Sequence, residues 1–156
     1  PSELSESFAS IYDAAEDNYV LYLDRAAEEL RFKVTLANGV SARPGIPEAM
    51  LPLRRWIHVA GVYRADGSAA IYLDGELADT HLDPMLIGPV RSVPAQVPAL
   101  GRDGVNDRYH FDGRIDEAEV WRRALLPQEI VLIRGPFLFG DGFERGDALG
   151  WSFVAP

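Results

Sequence analysis

The chain has 156 residues, 47% of them apolar and 25% charged, which is enough for one domain with a sizeable core. Its net charge of −9 argues against nucleic acid and anionic membranes as partners, since both select basic surfaces. There is no Cys, so disulfides and thiolate metal sites are excluded, and no apolar run approaches the roughly 18 residues of a membrane span.

Residues 1–7 read as a polar, frayed end. Phe8–Tyr12 and Tyr19–Leu23 are short apolar runs around the polar cluster Asp13-Ala14-Ala15-Glu16-Asp17-Asn18, which predicts strand, turn, strand. Leu30, Phe32, Val34 and Leu36 alternate with Arg31, Lys33, Thr35 and Ala37, the period of a half-buried strand, and Asn38-Gly39 ends it. Ser41–Pro52 holds three prolines and reads as a loop. The stretch Trp56–Leu82 then predicts a three-stranded meander: Trp56–Tyr63, a turn at Ala65–Ser68, a strand over Ala69–Leu73, and an Asp74-Gly75 turn. An Asp-Gly pair between apolar runs is a strong hairpin signal, because both residues take positive φ at little cost.

Asp83–Pro98 contains prolines at 84, 89, 94 and 98 and predicts a long connection, with room for an edge strand at Val90–Val93. Ala99-Leu100-Gly101 leads into the polar loop Arg102–Arg108, and Tyr109–Trp121 predicts a further strand pair bent at Asp112-Gly113. Pro127–Ile133 is the one helix expected, with Pro in the first turn, where no donor is lost. Many short strands separated by turn residues predict an all-β antiparallel sandwich of the jelly-roll kind with one short C-terminal helix. The tail, residues 135–156, is too apolar for a free linker and is expected to add an edge strand or to sit against a partner.

WIHVAGVY, IYLDGEL and FDGRIDEAEVWRRALLPQEI, in that order, resemble the laminin-G-like or concanavalin A-like jelly-roll superfamily, in particular its pentraxin-related branch. The resemblance runs from about Asn18 to Ile133 and implies two curved antiparallel sheets. It places the domain at residues 1–134, lacking the family's first two or three strands, with 135–156 as a tail. The bare sheet edges left by such a truncation predict homodimerisation or poor solubility. The family implies a noncatalytic extracellular module that binds a glycan or a surface protein, with calcium at the sheet rim. DGFERGDALGWS in the tail is similar to terminal segments of exported bacterial proteins, and the expected location is secreted or cell surface. The alternatives within the fold are a glycoside hydrolase or polysaccharide lyase, and a structural assembly domain.

Calcium needs about 6–8 oxygen ligands, and two loops rich in them lie 85 residues apart: Glu16-Asp17-Asn18 and Asp103–Asp107. In the pentraxin-related branch an Asp-Asn pair before an apolar strand and acidic residues after a Leu-Gly bind calcium together. The resemblance carries that role to Asp17, Asn18, Asp103, Asn106 and Asp107, although the second loop departs from the family spacing. Without it, both loops read as Asx turns capping their own backbone. Tyr109, beside the second loop, is the aromatic residue singled out for ligand contact. On a strand over Ile115–Trp121, Asp116 is expected on one face, buried if that face is inner and bonded to backbone donors. Glu117 and Glu119 fall on the other face, within reach of a retaining glycosidase pair but without the E-x-D-x-x-E arrangement, and read as an exposed acidic face. His58, His81 and His110 lack ligand spacing.

Overall fold

A computed structural model of the chain describes residues 8–14, 18–52, 54–92, 97–104 and 108–134. The alternating apolar runs form strands where expected: β1 (Phe8–Asp13), β2 (Tyr19–Asp24) and β3 (Glu29–Thr35). Two short strands, β4 (Ser41–Ala42) and β5 (Gly45–Pro47), both pair with the outer edge of β3. The meander follows as β6 (Val59–Arg64), β7 (Ser68–Leu73) and β8 (Glu76–Leu82), then β9 (Ala99–Leu100) and helix α1 (Pro127–Arg134). The larger sheet has the order β4-β3-β2-β1-β9, with β5 beside β4 on β3, and the smaller is β6-β7-β8.

The two sheets pack face to face, β7 over β3 and β8 over β5. Residues directly opposite in an antiparallel pair point to the same side. Leu30 pairs with Leu23, Phe32 with Leu21 and Val34 with Tyr19, so these six share the inner face. Leu30, Phe32, Val34, Ile46, Ala69, Ile71 and Leu86 make the buried core between the layers. The other face of β7 is buried too. Ala70 and Tyr72, with Val62 of β6, pack on Leu125 and on Ile130 of α1. Cover on both faces explains why Ser68–Leu73 reads as nearly continuous apolar sequence rather than an alternation.

Turn chemistry is local and follows the residues. Asp74 (φ 50°) and Gly75 (φ 83°) both adopt the left-handed conformation of a two-residue hairpin turn. The Asp74 carboxylate accepts from the His58 N–H (3.0 Å) and pairs with Arg55 (2.6 Å), tying the entry of β6 to the turn two strands away.

Three expectations fail. The proline-rich stretch after Asn38 is not all loop: β4 and β5 fit because each is two or three residues long at a sheet edge, where a missing donor costs little. Trp56–His58 lie outside β6, which starts at Val59. Tyr109–Trp121 forms no strand: residues 108–126 lie outside both sheets, and Glu117 takes φ 48° in the middle of the expected strand. Val90 makes only an isolated bridge to Leu36. The tail lies outside the described residues.

Candidate functional site

Three segments meet at one margin of the larger sheet. β1 ends there in Asp13, whose backbone pairs with Val20 on one side and Ala99 on the other. Asn18 sits just before β2 at the same end. Its Nδ2 donates to the Ala14 carbonyl (3.2 Å), its own carbonyl accepts from Thr35 N–H (2.7 Å), and Ala14 N–H donates to Tyr19 (3.1 Å). On the far side of β1 the chain leaves β9 through Gly101 (φ 72°), and the Asp103 N–H donates to the Arg108 carbonyl (2.8 Å). Gly104 lies against Val97 and Ala99 and has no room for a side chain. Asp103 is thereby returned to the Ala99 end of the sheet, the end that carries Asp13 and Asn18.

Asp13, Asn18 and Asp103 are all buried, at 7%, 6% and 7% exposure. The Asn18 Oδ1 is buried with no hydrogen-bond partner among the described residues, as is the Thr35 hydroxyl. A buried acceptor left unmatched costs about 1–3 kcal/mol, so such an oxygen suits a cation or a donor brought by a ligand. The Asp103 carboxylate is paired with Arg108 Nε at 3.3 Å. An ion taking Asp103 as ligand would share that carboxylate with the guanidinium, which lies 4.7 Å from the centre of the Tyr109 ring.

Tyr109 is fixed on several sides. Its backbone is left-handed (φ 58°), and its carbonyl accepts from Ser10 N–H (2.8 Å). Its ring meets Phe8 edge-on at 5.6 Å, and Phe8 meets Tyr22 in the same way at 5.6 Å. With Arg108 over one face, the ring becomes a flat contact for a ligand only on its remaining surface. Asp13 was not among the residues singled out from sequence, although its position as the last residue of a strand before an acidic turn marks it.

Asp17, Asn106 and Asp107 lie outside the described residues. Among the described residues no three His, Cys, Asp or Glu side chains converge as a metal-binding group. The described donors are oxygens, the ligand type that calcium takes.

The acidic segment after Phe111 differs from expectation. Asp116 is exposed, not buried, because the strand that would carry it inward does not form, and its Oδ1 accepts from the next N–H, that of Glu117 (2.9 Å). Glu117 and Glu119 are exposed as expected, but on an irregular segment. A shallow cleft of about 470 Å³ lies beside it, lined by Leu100, Gly101, Phe111, Ile115, Asp116 and Glu117. His58, just before β6, is half-buried; burial lowers its pKa against the pull of Asp74.

The model of the Laminin_G_3 family, described as the concanavalin A-like lectin/glucanases superfamily, matches residues 1–131. The chain belongs to this family. Its relatives fit the pentraxin-related branch. Human pentraxin-related protein PTX3 is 24% identical over 159 residues, covering 96% of this chain and 39% of that protein. A mouse sushi, von Willebrand factor type A, EGF and pentraxin domain-containing protein is 28% identical over 101 residues, covering 62% of this chain and 3% of that protein. The laminin-G-like chain thus spans well under half the length of either relative. An S-layer domain-containing protein of Clostridium thermocellum is similar in structure with a TM-score of 0.43 and 22% identity, over 80% of this chain and 60% of that one. No helix among the described residues is long and apolar enough to cross a membrane.

Proposed function

We propose that this laminin-G-like chain is a noncatalytic binding module of a secreted or cell-surface protein, which recognises a glycan or a surface protein with the help of calcium at the sheet margin. The observation that supports the reading is the return of Asp103 to the end of the sheet that holds Asn18, whose Oδ1 is buried and unmatched among the described residues. In this reading Asp17, Asn18, Asp103, Asn106 and Asp107 supply oxygen ligands. Calcium supplies a charge that hydroxyl pairs or an anionic group of the ligand can complete. Tyr109 adds an apolar contact beside the ion, with its hydroxyl as a polar handle. Names that contain pentraxin among the relatives agree with this class of module. Affinity at such a rim is modest, and repeated copies would raise it through avidity.

Two measurements test the reading. The melting temperature rises with calcium in the unmutated chain, and Asp17→Ala with Asp103→Ala abolishes the rise. A glycan array probed in calcium and again in chelator shows binding only in the first. A melting temperature indifferent to calcium removes the ion, and array binding that survives chelation moves recognition away from the margin.

A further inference from the structure

Thr35 and Asn18 face each other across the last rung of the β2–β3 ladder. The register pairs Tyr19 with Val34, and one step further out the Thr35 N–H donates to the Asn18 carbonyl (2.7 Å). Residues directly opposite in an antiparallel pair send their side chains to one side. Tyr19 and Val34 belong to the inner face, so alternation turns Asn18 and Thr35 to the outer face of the larger sheet. Asp13 shares that face, because it pairs with Val20, two residues along β2 from Asn18. Thr35 thus falls on the side that the alternation of Leu30–Ala37 predicts to be wet, yet it is only 8% exposed. Its hydroxyl and the Asn18 Oδ1 are both buried with no hydrogen-bond partner among the described residues. The amide orientation is fixed, since Nδ2 donates to the Ala14 carbonyl and a flipped amide would set two oxygens against each other. Buried polar atoms almost always find a partner, so two unmatched oxygens on opposed residues point to something that enters between them.

We propose that Thr35 is a further ligand of the cation that Asn18 takes, its hydroxyl oxygen and the Asn18 Oδ1 closing on one ion from neighbouring strands; the inference rests on the calcium reading above. The spacing suits it. Residues opposed in a hydrogen-bonded pair stand about 5.5 Å apart at Cα. An ion held at about 2.4 Å from each oxygen bridges two side chains across that interval. The hydroxyl keeps its proton and offers a lone pair, as a neutral oxygen ligand does, and the Asp13 carboxylate on the same face supplies negative charge. Across the sheet the order is β3, β2, β1, β9, so Thr35 approaches Asn18 from the side away from the Asp103 loop.

Calorimetric titration of calcium into the full chain, paired with thermal melts in chelator, tests this. Thr35→Val keeps the shape of the side chain and removes its oxygen. Calcium affinity falls about tenfold or more, the usual scale for a lost group at a metal site. The melting temperature in chelator holds or rises, because an unmatched hydroxyl has given way to a methyl. Thr35→Ser restores the oxygen and binds as the unmutated chain does. Undiminished affinity in Thr35→Val overturns the inference and leaves the calcium reading standing. If that undiminished affinity comes with a lower melting temperature in chelator, the hydroxyl belongs to a buried water instead. An unmutated chain that takes up no calcium overturns both. Should Thr35→Val not fold, Thr35→Ala is set against Thr35→Ser, since the two are close in size and only one carries the oxygen; equal calcium affinity in that pair sinks the idea.

Discussion

At position 61 the inner side of β6 lies directly on the Phe32 ring, so a Cβ there collides with aromatic carbons in the middle of the core. Gly61→Val therefore forces Phe32 from its rotamer or β6 away from β3, at a cost of about 1–3 kcal/mol. Denaturant unfolding checks this as a lowered midpoint with an unchanged slope. Nothing in WIHVAGVY reveals the collision, since the ring comes from a strand 29 residues earlier. Asp74 is the opposite case. Its turn could be read directly, because Asp-Gly is the pair that tolerates two positive φ angles, and the structure adds only what its carboxylate holds. Burial opposes the charge on that carboxylate, yet the His58 N–H and the Arg55 guanidinium outweigh it and keep its pKa below the usual carboxylate range.

Among the elements, α1 shows how a short helix is held. Glu129 stands three residues after Leu126, whose N–H its Oε2 accepts (2.8 Å), while Arg123 grips both oxygens at 2.7 Å. The Arg123 bond, then the Leu126 bond, lowers the Glu129 pKa from 4.5 to about 2. A carboxyl whose pKa is depressed by folding contributes stability above its unfolded value and loses it as pH falls through the folded one. The contribution is complete above pH 4.5 and disappears toward pH 2. Glu129→Gln should lower the melting temperature at pH 7 and flatten its fall between those limits, as thermal melts at stepped pH would show. The helix was legible because Pro127 marks its first turn and Ile130 its buried stripe. The strand expected at Tyr109–Trp121 was not, for its apolar alternation is satisfied only if another strand lies beside it, and pairing is a property of two segments. The same reason hid β4 and β5, which exist because β3 offers them an edge.

For the molecule as a whole, the order of the motifs carried more than any single residue did. Periodicity and turns predicted two antiparallel layers, and the resemblance gave the family, but neither reveals that the smaller layer holds three strands among the described residues. The candidate margin was legible to the same degree: Asn18 and Asp103 are 85 residues apart in sequence, and only the pairing of β1 with β2 and β9, with Gly104 set against Ala99, brings them to one end. Asp13 escaped because a lone acid in a turn cluster looks like any Asx residue until its strand partners are known. The acidity of the chain, −9 in all, draws divalent cations toward every such cluster, so salt titrations at fixed calcium are needed to separate a coordinated ion from a diffuse one.

Tyr12 and Tyr19 stack at 5.9 Å, with Tyr12 one residue from Asp13. Burial, then its bond to Tyr19, pushes the Tyr12 phenol up to about 12. A raised phenol stabilises the fold below pH 10, and that benefit drains away between 10 and 12. Its ionisation can also be watched by ultraviolet absorbance, which turns the pair into an optical gauge placed beside the acidic rim. A divalent cation settling there would favour the phenolate and pull the alkaline absorbance midpoint downward, whereas magnesium or sodium passing in the bulk would leave it where it was. The chain has six tyrosines, so the Tyr12 step is identified as the part of the alkaline titration that Tyr12→Phe removes, and its shift then reports occupancy without an added label.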